Sequence, residues 1–158
     1  MRRSRHHYRD NGVVIRATDR SLGTLQLFDT FRLLPLNYMH ALAGGGIAVS
    51  VFDAIGTNPT GAEATAAVDA YRAAGADFVV ALGGGAAIDV AKLVRIGATH
   101  PAPLAQYDDA RGGSDRIVAT LPPMVAIPTT AGTGSEVGRS AVATLQDTGR
   151  KAIFFSPP

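Results

Sequence analysis

Two glycine-rich segments, each directly after an apolar run, place the strongest constraint on this chain of 158 residues. The run at residues 77–82 leads into GGGAAIDVAK at 83–92, and the run at 124–127 leads into PTTAGTGSE at 128–136. Continuous apolar runs of this length are typical of buried strands, and glycine lets a ligand approach the backbone closely. Two such loops in one chain indicate a nucleotide site more strongly than two unrelated turns.

The predicted elements alternate between strand and helix. This alternation predicts an α/β fold with a doubly wound, mostly parallel sheet and helices on both faces. Ligands of such sheets bind at the carboxyl ends of the strands, where both glycine loops lie. Strands are predicted at residues 12–18, 47–52, 77–82 and 124–127, helices at 21–43 (interrupted at Pro35), 60–74 and 86–98, a loop at 100–120, and a hairpin of strands 140–144 and 151–155.

Helix boundaries are marked by local signals. Thr60 and Glu63 have the spacing of a capping box, so a helix is expected to begin there and to end at Gly75. In the helix at 86–98, Val90, Leu93, Val94 and Gly97 are expected to face inward, whereas Asp89 and Lys92 lie one turn apart on another face.

The first glycine loop joins a strand to a helix N-terminus, where free backbone N–H groups and the helix dipole attract a diphosphate. A tight turn without a ligand is the alternative. Common motifs do not fit, because Lys92 lies two turns too late for a P-loop and Ile88 occupies a small-residue position of the Rossmann fingerprint. Ser135 also lacks the flanking glycines of a nucleophile elbow.

The second loop carries hydroxyl groups on Thr129, Thr130, Thr133 and Ser135. These groups suit a ribose, a phosphate edge or a nicotinamide amide, and the alternative is a loop whose hydroxyls bond only its own backbone.

Composition excludes several other classes of site. The chain has no cysteine, which excludes disulfides, thiolate metal sites and a cysteine nucleophile. Its four histidines lack the spacing of a metal site, and the net charge of +2 with a short basic segment at 1–9 does not favour nucleic acid. No run approaches the ~20 apolar residues of a membrane span, and no secretory signal is apparent. A cytoplasmic protein without a membrane or nucleic-acid partner is therefore predicted.

The chain closely resembles the group III, iron-containing alcohol dehydrogenases at residues 77–92 and 127–137. Flanking segments of that family are resembled by residues 51–60 and 151–157. The resemblance implies an N-terminal, Rossmann-like NAD(P)-binding domain of the type shared with dehydroquinate synthase. It also implies a helical C-terminal domain that holds iron or zinc through one Asp and three His. The chain ends at Pro158, before that domain, so no catalytic residue and no metal ligand is assigned.

The resemblance divides the chain into an unmatched basic segment, 1–11, and an NAD(P)-binding domain, 12–158. Gly84 and Gly85 match the diphosphate-binding turn, and Ala86 replaces a serine that is usual in the family. Asp19 matches a carboxylate that bonds a ribose 2′-hydroxyl, which favours NAD over NADP. The cofactor-binding residues implied by the resemblance are Asp19, Asn58, Gly84, Gly85, Ala86, Asp89, Thr129, Thr130, Thr133, Val142 and Lys151.

The family reaction transfers hydride between an alcohol and a nicotinamide cofactor, with a small alcohol or aldehyde as substrate. On this interpretation the chain alone binds dinucleotide weakly and has no turnover. An exposed apolar face is expected to promote self-association, and a homo-oligomer is compatible with the resemblance. Two alternatives are an NAD-dependent lyase domain like that of dehydroquinate synthase and a degenerate, non-catalytic nucleotide-binding fragment.

Overall fold

The computed structural model describes residues 12–13, 25–29, 47–118 and 120–156 of the chain. From β3 onward the element order is the predicted alternation of strands and helices. The strands are β1 (Gly12–Val13), β2 (Leu25–Asp29), β3 (Val49–Val51), β4 (Val79–Gly83), β5 (Met124–Pro128), β6 (Ser140–Thr144) and β7 (Lys151–Phe155), and the helices are α1 (Gly61–Ala73) and α2 (Gly85–Thr99).

Residues 25–29 form a strand, so the helix predicted over 21–43 is wrong at this place. β2 pairs with β1 in antiparallel fashion and with β3 in parallel fashion. The sequence LQLFD alternates apolar and polar residues at its start, and neighbouring strands that offer a ladder decide the conformation of so short a segment. Residues 14–24 and 30–46, with the interruption expected at Pro35, lie outside the described residues.

β4 is the central strand of the site. All five of its residues are buried, as predicted for a strand covered on both faces. It pairs in parallel with β5, from Val79 opposite Met124 to Gly83 opposite Pro128, and β2 lies beside it. β5 is only partly buried, in contrast to the buried strand expected from its apolar sequence. The pairs β2–β3 and β4–β5 are parallel, as predicted for the α/β fold, whereas β1–β2 and β6–β7 are antiparallel.

Helices α1 and α2 pack against each other, and α2 also packs against β4. A Cβ atom at Gly97 would lie 2.5 Å from Cγ2 of Val68, so glycine is required for this close approach of the two helices. The core between the helices and β4 includes Val68, Tyr71, Val79, Val80, Leu82, Ile88, Val90 and Val94.

The hairpin of β6 and β7 forms at the predicted residues and gives α2 a second buried side. Alternate residues of β7, Ala152 and Phe154, face inward and pack in a core with Leu93 and Ile96 of α2. Since α2 is covered by β4 on one side and by the hairpin on another, nine of its fifteen residues are buried.

The segment 100–120 lacks long elements, as predicted, but it contains three short 3₁₀ turns at Leu104–Tyr107, Asp109–Arg111 and Ser114–Arg116. His100 anchors it, because Nε2 accepts from the N–H of Val118 at 3.0 Å and Nδ1 lies 3.0 Å from the carbonyl oxygen of Ile96. Within the described ranges, no helix has the length and apolar character needed to cross a bilayer.

Candidate cofactor-binding site

The two glycine loops lie against each other at the carboxyl ends of β4 and β5. The N–H of Thr129 donates to the carbonyl oxygen of Gly83 at 3.0 Å, which continues the parallel ladder beyond the strands. A Cβ atom at Gly84 would lie 3.1 Å from Oγ1 of Thr130, and one at Gly85 would lie 3.1 Å from Cγ2 of Thr133. The missing side chains therefore allow the loops to form one continuous surface.

The N-terminus of α2 opens onto this surface. Gly84 is its N-cap residue, with φ −77° and ψ −174°, and the described residues supply it with no side-chain cap. α1 differs, since Thr60 and Glu63 form the predicted capping box at its start. The first-turn amides of α2 are thus suited to an external acceptor such as a phosphate oxygen. Ala86 lies in this first turn and is half-buried.

The second loop is largely exposed and depends on two glycines for its shape. Gly132 has φ +107° and Gly134 has φ +65°, both in the region that side chains other than glycine disfavour. Thr130 and Thr133 are exposed, and the hydroxyl of Thr133 accepts from the N–H of Ser135 at 3.4 Å. The loop therefore presents hydroxyl groups and amides to solvent beside the start of α2.

One turn further along α2, Asp89 and Lys92 are directed at β6. Oδ2 of Asp89 accepts from the N–H of Val142 at 3.1 Å, and Nζ of Lys92 donates to the carbonyl oxygen of Ser140 at 2.6 Å. The two charged groups are 3.8 Å apart, and Lys92 is only 3% exposed. The expected separate face for this pair is thus buried under the hairpin, because β6 covers that side of α2.

The pKa values of this pair are shifted toward their neutral forms. Burial raises the pKa of the Asp89 carboxyl, and the charge of Lys92, the N–H of Val142 and the side chain of Ser135 offset part of that shift. Burial lowers the pKa of the Lys92 ammonium, against the opposing effect of the Asp89 and Glu136 carboxylates. Desolvation is the dominant cause in both cases.

Asn58 and Lys151 meet at the other end of the hairpin. Nζ of Lys151 donates to Oδ1 of Asn58 at 3.4 Å, although the two residues are 93 positions apart. The N–H of Thr144, which is paired with Lys151 across the hairpin, donates to the carbonyl oxygen of Pro59 at 2.8 Å. The loop before α1 and the start of β7 are therefore held together.

These contacts arrange the candidate residues in a row. Asp89 lies one helical turn, about 6 Å, after the start of α2. Val142 lies two strand residues, about 7 Å, before Thr144 and its partner Lys151. The structure thus brings together Gly84 and Gly85 with Thr129, Thr130 and Thr133, then Asp89 with Val142, then Asn58 with Lys151. Asp19 lies outside the described residues.

Lys92 and Glu63 lie at this row but are not among the candidates that the sequence predicts, and Ser135 is predicted only as one of the loop hydroxyls. Oγ of Ser135 lies 3.2 Å from the position of a Cβ atom on Gly85, and Lys92 anchors the start of β6. The sequence predicts Glu63 only as a capping residue, but its Oε1 also accepts from the N–H of Gly56 at 2.9 Å. The three-residue spacing of Asp89 and Lys92 on α2 is a usable signal for Lys92, whereas the contact of Glu63 with Gly56 leaves no pattern in the sequence.

The described residues do not fit the metal that the family resemblance implies. No group of three or more His, Cys, Asp or Glu side chains that could hold an ion occurs among them. Both ring nitrogens of His100, the histidine within these residues, are engaged by backbone groups. No metal-binding role is therefore assigned to the described residues.

Known proteins match this chain over most of its length. Residues 25–158 match the family model described as "Iron-containing alcohol dehydrogenase". A 4-hydroxybutyrate dehydrogenase of Cupriavidus necator is 50% identical over 111 residues, which are 70% of this chain and 29% of that protein. A 1,3-propanediol dehydrogenase of Klebsiella pneumoniae is 37% identical over 118 residues, covering 75% of this chain and 30% of that protein.

Solved structures match in the same way. The crystal structure of a 1,3-propanediol oxidoreductase has a TM-score of 0.69 and 37% identity over 75% of this chain and 30% of its own. A sulfoacetaldehyde reductase from Bifidobacterium kashiwanohense, solved in complex with NAD+, has a TM-score of 0.62 and 31% identity over 78% of this chain and 33% of its own. This chain spans about 30% of the length of the relatives it matches. The chain belongs to the iron-containing alcohol dehydrogenase family.

Proposed function

We propose that the chain is the NAD(P)-binding part of an enzyme that transfers hydride between an alcohol and a nicotinamide cofactor. The observation that carries this proposal is the contact between the two glycine loops at the start of α2, where Gly84 and Gly85 lie against Thr130 and Thr133. A helix N-terminus without a side-chain cap, bordered by hydroxyl groups, is suited to the diphosphate of a dinucleotide.

The row of candidate residues suggests how the chain holds the cofactor. The first-turn amides at Gly85 and Ala86 bind the diphosphate, while Thr129, Thr130 and Thr133 contact the nucleotide from the second loop. The Asn58–Lys151 pair takes up ribose hydroxyls through an ammonium donor and an amide. When bound, the nicotinamide ring supplies the hydride chemistry, and the protein contributes its orientation.

We further propose NAD as the preferred cofactor, because a carboxylate at Asp19 would accept from a ribose 2′-hydroxyl and repel a 2′-phosphate. Titrations with NADH and NADPH test this preference directly. Tighter binding of NADPH than of NADH would overturn this preference. In the Asp19→Gly variant, the Kd values for NADH and NADPH should lie closer together.

A small alcohol or aldehyde is the proposed substrate class. Its relatives include a 4-hydroxybutyrate dehydrogenase, 1,3-propanediol dehydrogenases and lactaldehyde reductases, and these names favour short, oxygenated substrates. The match to this family favours the dehydrogenase over the lyase interpretation. The iron or zinc of the family would be held outside the described residues, so this chain by itself is expected to have no turnover.

Fluorescence titration of the chain with NADH tests the proposed function. Saturable binding is expected, and Gly85→Ala should weaken it, because the new Cβ forces Thr133 and Ser135 to move. Gly138→Ala is the matched control, since a Cβ there makes only ordinary contacts at 3.6 Å and 3.8 Å in the same loop. Absence of saturable NADH binding would leave a degenerate fragment as the better interpretation.

A further inference from the structure

The carboxylate of Glu63 makes more contacts than a helix cap requires. Oε2 accepts from the N–H of Thr60 at 2.7 Å and from its hydroxyl at 2.9 Å, which completes the capping box. Oε1 accepts from the N–H of Gly56 at 2.9 Å, seven residues earlier in the chain. This last contact pairs no amide of α1 or its cap, since Gly56 lies outside the helix.

The Gly56 contact closes a short loop over the start of α1. Both ends of the loop, at Gly56 and Thr60, are bonded to one carboxylate, and Asn58 lies midway between them. A Cβ atom at Gly56 would lie only 3.2 Å from Oε1 of Glu63, so the glycine permits the close approach. The hydrogen bond to Glu63 therefore depends on a small residue at position 56.

The same loop carries the contact with β7. Asn58 and Lys151 are both exposed, so burial does not hold their side chains in place. A fixed backbone on each side reduces the entropy that is lost when two exposed side chains are ordered, and it therefore favours their contact. The backbone at Lys151 is fixed by the hairpin ladder. The backbone around Asn58 is fixed by the hydrogen bonds that Gly56 and Thr60 donate to Glu63, and by the bond that the carbonyl oxygen of Pro59 accepts from Thr144.

We propose that Glu63 is a positioning residue that holds Asn58 against Lys151, and thereby sets the affinity of this end of the cofactor site. The second part of this inference rests on the proposed function, whereas the first part does not.

The test variant is Glu63→Gln, which keeps the volume of the side chain but replaces one acceptor oxygen with an amide that repels a backbone N–H. Two controls separate positioning from stability and charge. Ala66→Gly weakens α1 at an exposed position away from the loop, and Asp69→Asn removes one exposed carboxylate from the same helix.

The first readout needs no cofactor. In the parent chain, Lys151→Ala should shift the ¹H–¹⁵N signal of the Asn58 side-chain amide, because the ammonium contact is lost. In the Glu63→Gln background the same Lys151→Ala change should shift this signal very little. In the Ala66→Gly and Asp69→Asn backgrounds it should shift the signal as much as in the parent chain. An undiminished shift in Glu63→Gln would overturn the positioning role.

The second readout is the NADH titration. Glu63→Gln should raise the Kd by about three- to tenfold, the effect of one lost hydrogen bond, and both controls should bind as the parent chain does. An unchanged Kd in Glu63→Gln would overturn the link to affinity. If the parent chain itself fails to bind NADH, the proposed function fails, and the amide signal still decides whether Glu63 positions Asn58.

Discussion

Oδ2 of Asp89 accepts a hydrogen bond from the N–H of Val142 at 3.1 Å, and this contact joins α2 to β6 between the glycine turn and the Asn58–Lys151 pair. The acceptor comes from a carboxyl whose burial raises its pKa, so its negative charge is not what stabilises the fold. Asp89 should therefore contribute mainly as a hydrogen-bond acceptor, and this role separates two substitutions at the same position.

Asp89→Ala removes the acceptor and leaves the N–H of Val142 without a partner. The free energy of unfolding, measured by urea denaturation at pH 7, is expected to fall by about 1–3 kcal/mol, the cost of leaving a partly buried donor unpaired. Asp89→Asn keeps an acceptor oxygen and should lose less than half of that amount. Equal losses in the two variants would show that the charge of Asp89, and not its acceptor, is what matters.

The raised pKa of Asp89 also predicts the sign of a pH effect. The folded chain binds the proton of Asp89 more tightly than the unfolded chain, whose pKa stays near 3.8. This contribution to stability is present in full below pH 3.8 and is lost as the pH rises through the folded-state pKa. Relative to Asp89→Asn, the parent chain should lose stability over this range in urea titrations at successive pH values. A difference in unfolding free energy between the parent chain and Asp89→Asn that stays constant from pH 4 to 7 would contradict this prediction.

The contact between the loops was predictable, because parallel strands place their carboxyl ends at one edge of the sheet. The burial of Lys92 was not predictable from the sequence. The helical pattern of apolar residues indicates one buried face of α2, whereas the hairpin also covers a second side of this helix. The sequence predicts a helix at β2 because Leu25 and Leu27 lie in a long apolar segment, and only pairing with β3 decides between a helical and an extended conformation. The Gly56 contact of Glu63 spans seven residues and matches no local motif.

Tyr71 predicts a second pH effect, at the alkaline end. Burial, with a smaller contribution from the carboxylate of Asp77, raises the pKa of Tyr71 from 10.0 to about 12. The unfolded chain ionises this phenol first, so its contribution to stability is present below pH 10 and is lost as the pH rises to 12. The loss in the parent chain relative to Tyr71→Phe should reach about 2–3 kcal/mol at most, from two pKa units.

Urea denaturation of both chains between pH 7 and 11.5 measures this difference. The lysines and the other tyrosines titrate in both chains, so they cancel in the comparison. Curves that remain parallel above pH 10 would show that Tyr71 ionises as freely in the folded chain as in the unfolded one.

The ion pair of Asp108 and Arg150 ties the 3₁₀ segment to the hairpin. Asp108 is fully buried, and its Oδ1 also accepts from the N–H of Ala110 at 3.3 Å. Arg150→Met leaves a buried carboxylate without its counter-charge, and the expected loss is about 1–3 kcal/mol because Arg150 is 43% exposed and partly screened. The double variant Asp108→Asn with Arg150→Met should recover most of this loss, since no charge is then buried. A double variant that is no more stable than Arg150→Met would refute this explanation.

Ala86 offers a gain of function at the cofactor site. It is half-buried in the first turn of α2, at the position where the family resemblance implies a serine. Ala86→Ser adds a hydroxyl beside the first-turn amides, and one further hydrogen bond to a phosphate oxygen should tighten NADH binding by about two- to tenfold. Fluorescence titration measures the change, and the effect should be absent with nicotinamide alone, which has no phosphate.

Ala98→Ser is the matched control, because Ala98 is also half-buried on α2 but lies 12 residues, about 18 Å, from Ala86. This variant should bind NADH as the parent chain does. An equal gain in both variants would point to a general effect on the helix. No gain, or a loss, in Ala86→Ser would mean that the diphosphate does not lie at the start of α2, and the assignment of Gly84 and Gly85 to its binding would fail with it.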